Sequence, residues 1–232
     1  MITEKKIKEW YDKRYILEGV NTWRPFEAYP VYLDKLGVKR RKKLLDIGCG
    51  MAHLLRAADQ RCLGTYGVDI SKEGVKLAEK NSPNSKIIIG KGEELDFPNN
   101  YFDYVVCLGT LEHFLDMEKG IREMIRVGKR NARYCVSVPN KDFLYWKVKR
   151  MNGTEQFDIN ETLHSLEKWK ELFIGEGFEI LKIEKERWFL KKPNIYSRMT
   201  FPKFLRKFIY KLIWLMIPLR YTYQFVFIMR KC

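Results

Sequence analysis

The sequence predicts an α/β protein, a doubly wound and mostly parallel sheet of seven strands, and three observations predict it. Apolar runs rich in β-branched and aromatic residues recur near 43–47, 64–69, 86–90, 102–108, 133–138, 178–188 and 223–230. Stretches of helical periodicity fall between them near 51–60, 72–80, 117–129 and 165–175, and such alternation supplies the crossovers that parallel strands require. The run Leu44-Leu45-Asp46-Ile47-Gly48-Cys49-Gly50 ends an apolar strand in an acid and a glycine turn, the form of a ligand crevice at a strand's C-terminal end. No internal repeat is present.

Ahead of the first strand, residues 3–18 and 26–37 read as helices. Their aromatic stretches, Trp10 to Tyr15 and Trp23 to Phe26, are expected to form a lid or a static cover within a unit spanning 1–38. Residues 39–232 then make one further domain, since 232 residues at 46% hydrophobic, without a Gly/Ser/Pro-rich linker, suffice for a single core. After the first strand, Gly48 and Gly50 let the backbone turn sharply and approach a ligand that a Cβ would obstruct. The second strand, 64–69, also closes on an acid, Asp69. A carboxylate at that tip accepts hydrogen bonds from two ribose hydroxyls; the alternative is that it caps the next helix, which Ser71 can do by itself.

These motifs resemble those of the class I S-adenosylmethionine-dependent methyltransferases, in the broad group that includes small-molecule and quinone O-methyltransferases. Four blocks carry the resemblance: 44–50, Tyr66 to Ser71, Phe102 to Leu108 with Leu111-Glu112-His113, and Ser165 to Phe173 with Gly177 to Ile180. A dehydrogenase turn would carry a third glycine where His53 stands, so a nicotinamide enzyme is disfavoured. The resemblance implies a Rossmann-like methyltransferase fold whose last two strands form an antiparallel pair. It also implies S-adenosylmethionine as cofactor. Asp46, Gly48, Cys49 and Gly50 would line its methionine end, Asp69 its ribose, Ile70 one adenine face, and Leu108 the floor beneath the sulfonium. Lys91-Gly92-Glu93 stands where relatives carry Asp-Ala-Glu, and a protonated Lys91 accepts no hydrogen bond from adenine. Glu93 or a backbone carbonyl would take over beside Gly92, or adenine is held more loosely; in the extreme the chain is a noncatalytic cofactor-binding protein.

The sulfonium already makes its methyl group electrophilic, so the protein has mainly to align a nucleophile. Where the acceptor must lose a proton, His113 at the end of the fourth strand is the candidate base, with a structural role as its alternative. By the resemblance, the acceptor is a small molecule or a lipid-linked one, methylated at oxygen. Tyr145, Trp146 and Phe157, together with His164, lie in or beside an overhanging loop from Pro139 to Leu163, and either bound the acceptor or simply pack. Quinone O-methyltransferases carry Glu-x-x-Glu-His as a proposed metal site; Gly109 replaces the first Glu here, and His53, His113 and His164 have no partner ligand at suitable spacing. No metal is expected.

Charge is concentrated at the C-terminal end. From Phe189 to Cys232 there are ten Lys or Arg and no acid, which leaves 34 basic against 29 acidic residues before it, in a chain of net charge +15. The segment 189–222 reads as an insertion before the last strand, with Pro202 starting a helix and Pro218 stopping it. At 100° per residue, Phe204, Leu205, Phe208, Ile209, Leu212, Ile213, Leu215 and Met216 fill one half of the 202–217 helix. Lys203, Arg206, Lys207, Lys211, Tyr210 and Trp214 fill the other. Such a helix suits an anionic membrane surface, its own domain's core or a second subunit. It is too short to span a bilayer. RNA is a weaker alternative despite the cluster Lys39 to Lys43, because no basic-aromatic RNA-binding motif is present. The charged start, without an apolar h-region, and five cysteines without a Cys-x-x-Cys pair point to a reducing cytoplasm. Oligomeric state is not legible.

Overall fold

A computed structural model describes residues 3–19, 24–149, 159–187, 212 and 214–232. Strands β1 (Lys43–Ile47), β2 (Gly64–Asp69), β3 (Lys86–Ile89), β4 (Phe102–Leu108), β5 (Gly128–Pro139), β6 (Phe178–Lys185) and β7 (Gln224–Lys231) form one sheet. Its order is β3-β2-β1-β4-β5-β7-β6. Pairings β1 with β2, β2 with β3, β1 with β4 and β4 with β5 are parallel. Only β7 is reversed: it runs antiparallel to both neighbours, so β6 shares the direction of the rest.

Central parallel strands are covered on both faces, which is why β1 is apolar at consecutive positions. Leu44 and Leu45 point to opposite faces and both are fully buried. On the Leu44 face lie α2 (Pro30–Leu36) and α3 (His53–Asp59), through Tyr32, Leu33, Leu36, Leu54 and Leu55. On the Leu45 face lie α5 (Met117–Val127) and α7 (Leu166–Gly175), through Ile121, Met124, Trp169 and Phe173. The helices start where side chains satisfy their first amides. Ser71 Oγ accepts from Gly74 N (3.0 Å) at the head of α4 (Lys72–Asn81), and Asp116 from Lys119 N (2.8 Å) at the head of α5.

Helix α1 (Glu4–Glu18) packs against α4. Asp12 on α1 accepts from the Ser71 hydroxyl (2.6 Å) and the Glu73 amide (3.1 Å), adding a second acceptor to the head of α4. Three boundaries differ from the sequence expectation. Helix α5 stops at Val127 and β5 begins at Gly128, not 133; a Cβ on Gly128 would lie 2.0 Å from the Tyr134 hydroxyl, so the chain enters the sheet at the one residue that fits. The expected loop after Pro139 contains α6 (Leu144–Lys149). Strand β6 ends at Lys185 because Glu186 turns inward to hydrogen-bond the Tyr32 hydroxyl.

Most of the anticipated 202–217 helix lies outside the described residues, as does Phe157. Leu212 and residues 214–216 are helical. There Trp214, placed on the polar half by the wheel, is buried, and its Nε1 donates to the Glu186 carbonyl (3.2 Å). Leu215 (54% exposed) and Met216 (82% exposed) face outward. All five cysteines are free thiols, and among the described residues no helix is long and apolar enough to cross a membrane.

Candidate active site

The sheet order reverses between β1 and β4, and a crevice opens where the chains leaving their C-terminal ends part in opposite directions. After β1 the backbone adopts left-handed φ at Gly48 (69°) and Gly50 (51°). The Gly48 and Cys49 amides both donate to the Val68 carbonyl (2.8 and 3.0 Å). Thr110 packs against Gly48, where a Cβ would meet its side chain at 2.3 Å, and the Tyr15 hydroxyl of α1 would stand 2.8 Å from a Cβ on Gly50. At the tip of β2, Asp69 Oδ2 accepts from Gly50 N (2.8 Å) and Oδ1 from Ser71 N (2.9 Å). The acid thus fixes the glycine turn, and each of its oxygens retains a lone pair for a ligand.

Around this turn is a cavity of about 710 Å³, a size suited to a nucleotide-sized ligand with an acceptor beside it. Asp46, Gly48, Cys49, Gly50, Asp69, Ile70, Gly92, Glu93, Leu108, His113 and Trp146 line it. Two expected acceptor residues are elsewhere. Tyr145 is 53% exposed and outside the lining, because α6 turns Trp146 inward in its place. His164 also lies outside, packed against the Trp169 ring at 4.8 Å.

The structure adds Tyr29, Glu112, Glu161 and Tyr223, which sequence reasoning did not nominate, and puts in the lining Tyr11 and Arg24, which were expected only as part of a cover. Arg24 is buried, and its guanidinium donates to the Leu108 carbonyl (3.2 Å), Ser137 Oγ (3.4 Å) and Gln224 Oε1 (3.0 Å), tying the segment before α2 to the ends of β4, β5 and β7. A signal for Glu112 existed in the acid of Leu111-Glu112-His113 at a strand's C-terminal end. Tyr223 and Glu161 gave none, because each reaches the cavity through long-range packing.

Burial sets the protonation of the site. It pushes the Asp69 carboxyl up to about 6 against the hydrogen bonds from Ser71 and Gly50 that lower it. Burial, and then the Asp69 charge, raises Asp46 as well. Burial pushes Glu112 up to about 8, with the Glu161 charge adding to the rise and Arg24 opposing it. For His113 burial acts in the other sense and holds the imidazole at about 4. Its Nδ1 lies 2.6 Å from the Asn160 carbonyl and so carries the proton, which leaves a neutral ring with an unprotonated Nε2. Eight Asp or Glu line the cavity against four Lys or Arg, inverting the sign of a chain whose net charge is +15. A cationic occupant is favoured there.

S-adenosylmethionine fits this donor set. The left-handed glycines bring backbone to the cavity wall, Asp69 presents a carboxylate with open lone pairs beside the apolar Ile70, and the acidic lining complements a sulfonium and an ammonium. Lys91, the departure at the adenine loop, is drawn off by Glu4 (3.0 Å) and Glu94 (3.5 Å). Among the described residues no group of three or more His, Cys, Asp or Glu is disposed to hold a metal ion.

A seven-stranded sheet of this order with a crevice at the β1 turn is the Rossmann-like architecture of methyltransferases. A family model described as a methyltransferase domain matches residues 45–136. The chain is 30% identical over 190 residues to an uncharacterized methyltransferase of Bacillus subtilis, YcgJ, covering 78% of this chain and 72% of that protein. It is 36% identical over 108 residues to ajmaline N-methyltransferase of Rauvolfia serpentina, covering 42% of this chain and 36% of that one. Among solved structures, an S-adenosylmethionine-dependent methyltransferase of Thermotoga maritima shares the fold with a TM-score of 0.65 at 16% identity, covering 99% of this chain and 97% of that one. The chain belongs to the class I S-adenosylmethionine-dependent methyltransferases and is an enzyme of that class.

Proposed function

We propose that the protein transfers a methyl group from S-adenosylmethionine to a small-molecule or lipid-linked acceptor held at the Glu112, Trp146 and Tyr223 end of the cavity. The observation that carries this is the Asp69 carboxylate locked to the Gly50 amide at the mouth of the crevice. In this reading Asp46, Gly48, Cys49 and Gly50 hold the methionine portion, Asp69 the ribose, and Ile70, Gly92 and Glu93 the base. The bound cofactor supplies an electrophilic methyl group. Residues 1–38 serve as a cover, with Tyr11 and Tyr15 of α1 excluding water from the crevice. The resemblance implied an oxygen nucleophile, and ajmaline N-methyltransferase, similar over part of this chain, is by its name an enzyme acting at nitrogen. Titration calorimetry with S-adenosylhomocysteine tests the reading: saturable binding is expected, and no heat at millimolar ligand would overturn it.

A second proposal concerns location. The outward Leu212, Leu215 and Met216, in a segment from 189 to 232 without an acid, support docking on an anionic membrane surface. Cosedimentation with phosphatidylserine vesicles is expected, and to be lost in the Leu212→Glu, Leu215→Glu, Met216→Glu triple variant. Equal sedimentation of the two proteins would refute the docking.

A further inference from the structure

Glu112 is 3% exposed and lines the cavity, and its Oε2 has no hydrogen-bond partner among the described residues. A buried carboxylate oxygen without a donor is costly, and the natural complement is a ligand that brings a proton or a positive charge. The surroundings favour charge. The Tyr11 ring stands edge-on to His113 with centroids 6.1 Å apart, and the Trp146 and Tyr223 rings meet at 5.8 Å and 82°. All four rings line the same cavity, and aromatic walls around an acid are the setting in which an organic cation is stabilised. Glu161 adds a second carboxylate to the lining, and Arg24, the nearest fixed positive charge felt by Glu112, is already engaged by Leu108, Ser137 and Gln224.

His113 does not serve this need. Its ring is neutral, its Nδ1 is committed to Asn160, and burial opposes its taking a proton. Below about pH 8 the Glu112 carboxyl is protonated in the empty site. An ammonium bound beside it favours the charged form, so the carboxyl gives its own proton to solvent as the cation enters. It can then accept one from an alkylammonium of about 10.4, whereas an aliphatic alcohol is far too weak an acid for it.

We propose that the acceptor is an amine, bound as its ammonium ion among Tyr11, Trp146 and Tyr223, and that the Glu112 carboxylate takes its proton. This rests on the methyltransferase reading and names the acceptor class within it. The N–H bond breaks toward Glu112, leaving a neutral amine and a neutral carboxylic acid. The freed lone pair forms the N–C bond as the S–C bonding pair passes to sulfur, giving a methylammonium product and the neutral thioether. Glu112 thereby cancels the repulsion between two cations that must otherwise meet in one buried site.

The experiment compares 2-phenylethylamine with its neutral isostere 2-phenylethanol, titrated at pH 9 into full-length protein saturated with S-adenosylhomocysteine. The amine is expected to bind at least about tenfold more tightly, and Glu112→Gln to erase that preference while S-adenosylhomocysteine affinity stays within about threefold. Equal affinity for the two probes in the wild type, including binding of neither, overturns the amine proposal, as does a preference that survives Glu112→Gln. Failure of S-adenosylhomocysteine to bind the wild type overturns the methyltransferase reading instead, so the two failures are distinct. As a second arm, wild-type protein and isotopically labelled methyl donor are incubated with cell extract. Labelled product retained on a cation exchanger at pH 7 supports the amine; label confined to neutral or acidic product overturns it.

Discussion

The Gly50 amide donates to Asp69 Oδ2 at 2.8 Å, so the turn that follows one strand is held by the acid that ends its neighbour. The register places Asp46 beside Gly67 and Ile47 beside Val68, which brings the C-terminal ends of β1 and β2 level and makes that bond. In the proposed reading, cofactor geometry and turn geometry are therefore one problem. A change at Asp69 disturbs both.

Asp69→Asn is expected to weaken S-adenosylhomocysteine binding by about 10–100-fold, the worth of hydrogen bonds to a charged acceptor. Asp69→Ala should weaken it further, because the Gly50 amide then also loses its partner. The wild type should show a pH dependence of its own. With the carboxyl raised to about 6, its ionised form is lost as pH falls through that value, and affinity should fall with it. Calorimetry at pH 8 and pH 5 checks both points, and affinity unchanged in Asp69→Asn would remove this residue from the site.

Gly48→Ala joins two costs. The residue sits at φ 69°, where a Cβ costs about 1–2 kcal/mol, and its Cβ would stand 2.3 Å from the Thr110 side chain. A lowered melting temperature and loss of S-adenosylhomocysteine binding are expected. Adding Thr110→Ala should recover part of the stability, since it removes the two contacts at 2.3 Å while leaving the Thr110 Cβ at 2.8 Å and the backbone strain. Gly175→Ala is the control: nothing lies within 4 Å of its Cβ and φ is ordinary, so that variant should be neutral or gain up to about 1 kcal/mol.

The mostly parallel sheet was legible because its core must be apolar on both faces, and that requirement writes itself into consecutive residues such as Leu44 and Leu45; the order of the strands was not. The wall of the cavity at the glycine turn was legible for a similar reason: Gly48, Gly50 and Asp69 lie at or just beyond the ends of short strands. The opposite wall was not. Whether Tyr145 or Trp146 turns inward depends on the phase of α6, and Tyr223 and Glu161 arrive from segments distant in sequence. Glu112 was visible as a residue, yet the lack of a donor at its Oε2 is a property of three-dimensional burial.

Lys91 Nζ contacts Glu4 Oε2 at 3.0 Å, linking the loop after β3 to the first turn of α1. Both side chains are partly exposed, so the pair contributes little to stability, under about 1 kcal/mol. Its effect should be kinetic, because α1 also carries Tyr11 and Tyr15 into the cavity wall. Lys91→Ala is expected to leave the melting temperature within about 2 °C and to speed S-adenosylhomocysteine release severalfold. Stopped-flow tryptophan fluorescence measures that rate, and a release rate equal to wild type would show that this contact does not hold the cover.

Glu112 also links folding to pH in a way that isolates it from its neighbour. Its carboxyl titrates near 8 in the native protein and near 4.3 when unfolded. Between those values the unfolded chain has released a proton that the native protein retains, so stability falls as pH rises across the window and levels above 8. His113 acts oppositely. With its native value near 4 against about 6.5 unfolded, stability falls as pH drops from 6.5 toward 4. The Glu112→Gln variant removes the first effect and keeps the second. Its stability relative to wild type should climb steadily from pH 5 to pH 8, toward a ceiling of roughly 5 kcal/mol set by the size of the shift. Denaturant unfolding at each pH reads this directly. A stability difference that stays constant over that range would mean that Glu112 is ionised in the native protein, and that some donor already meets its open oxygen.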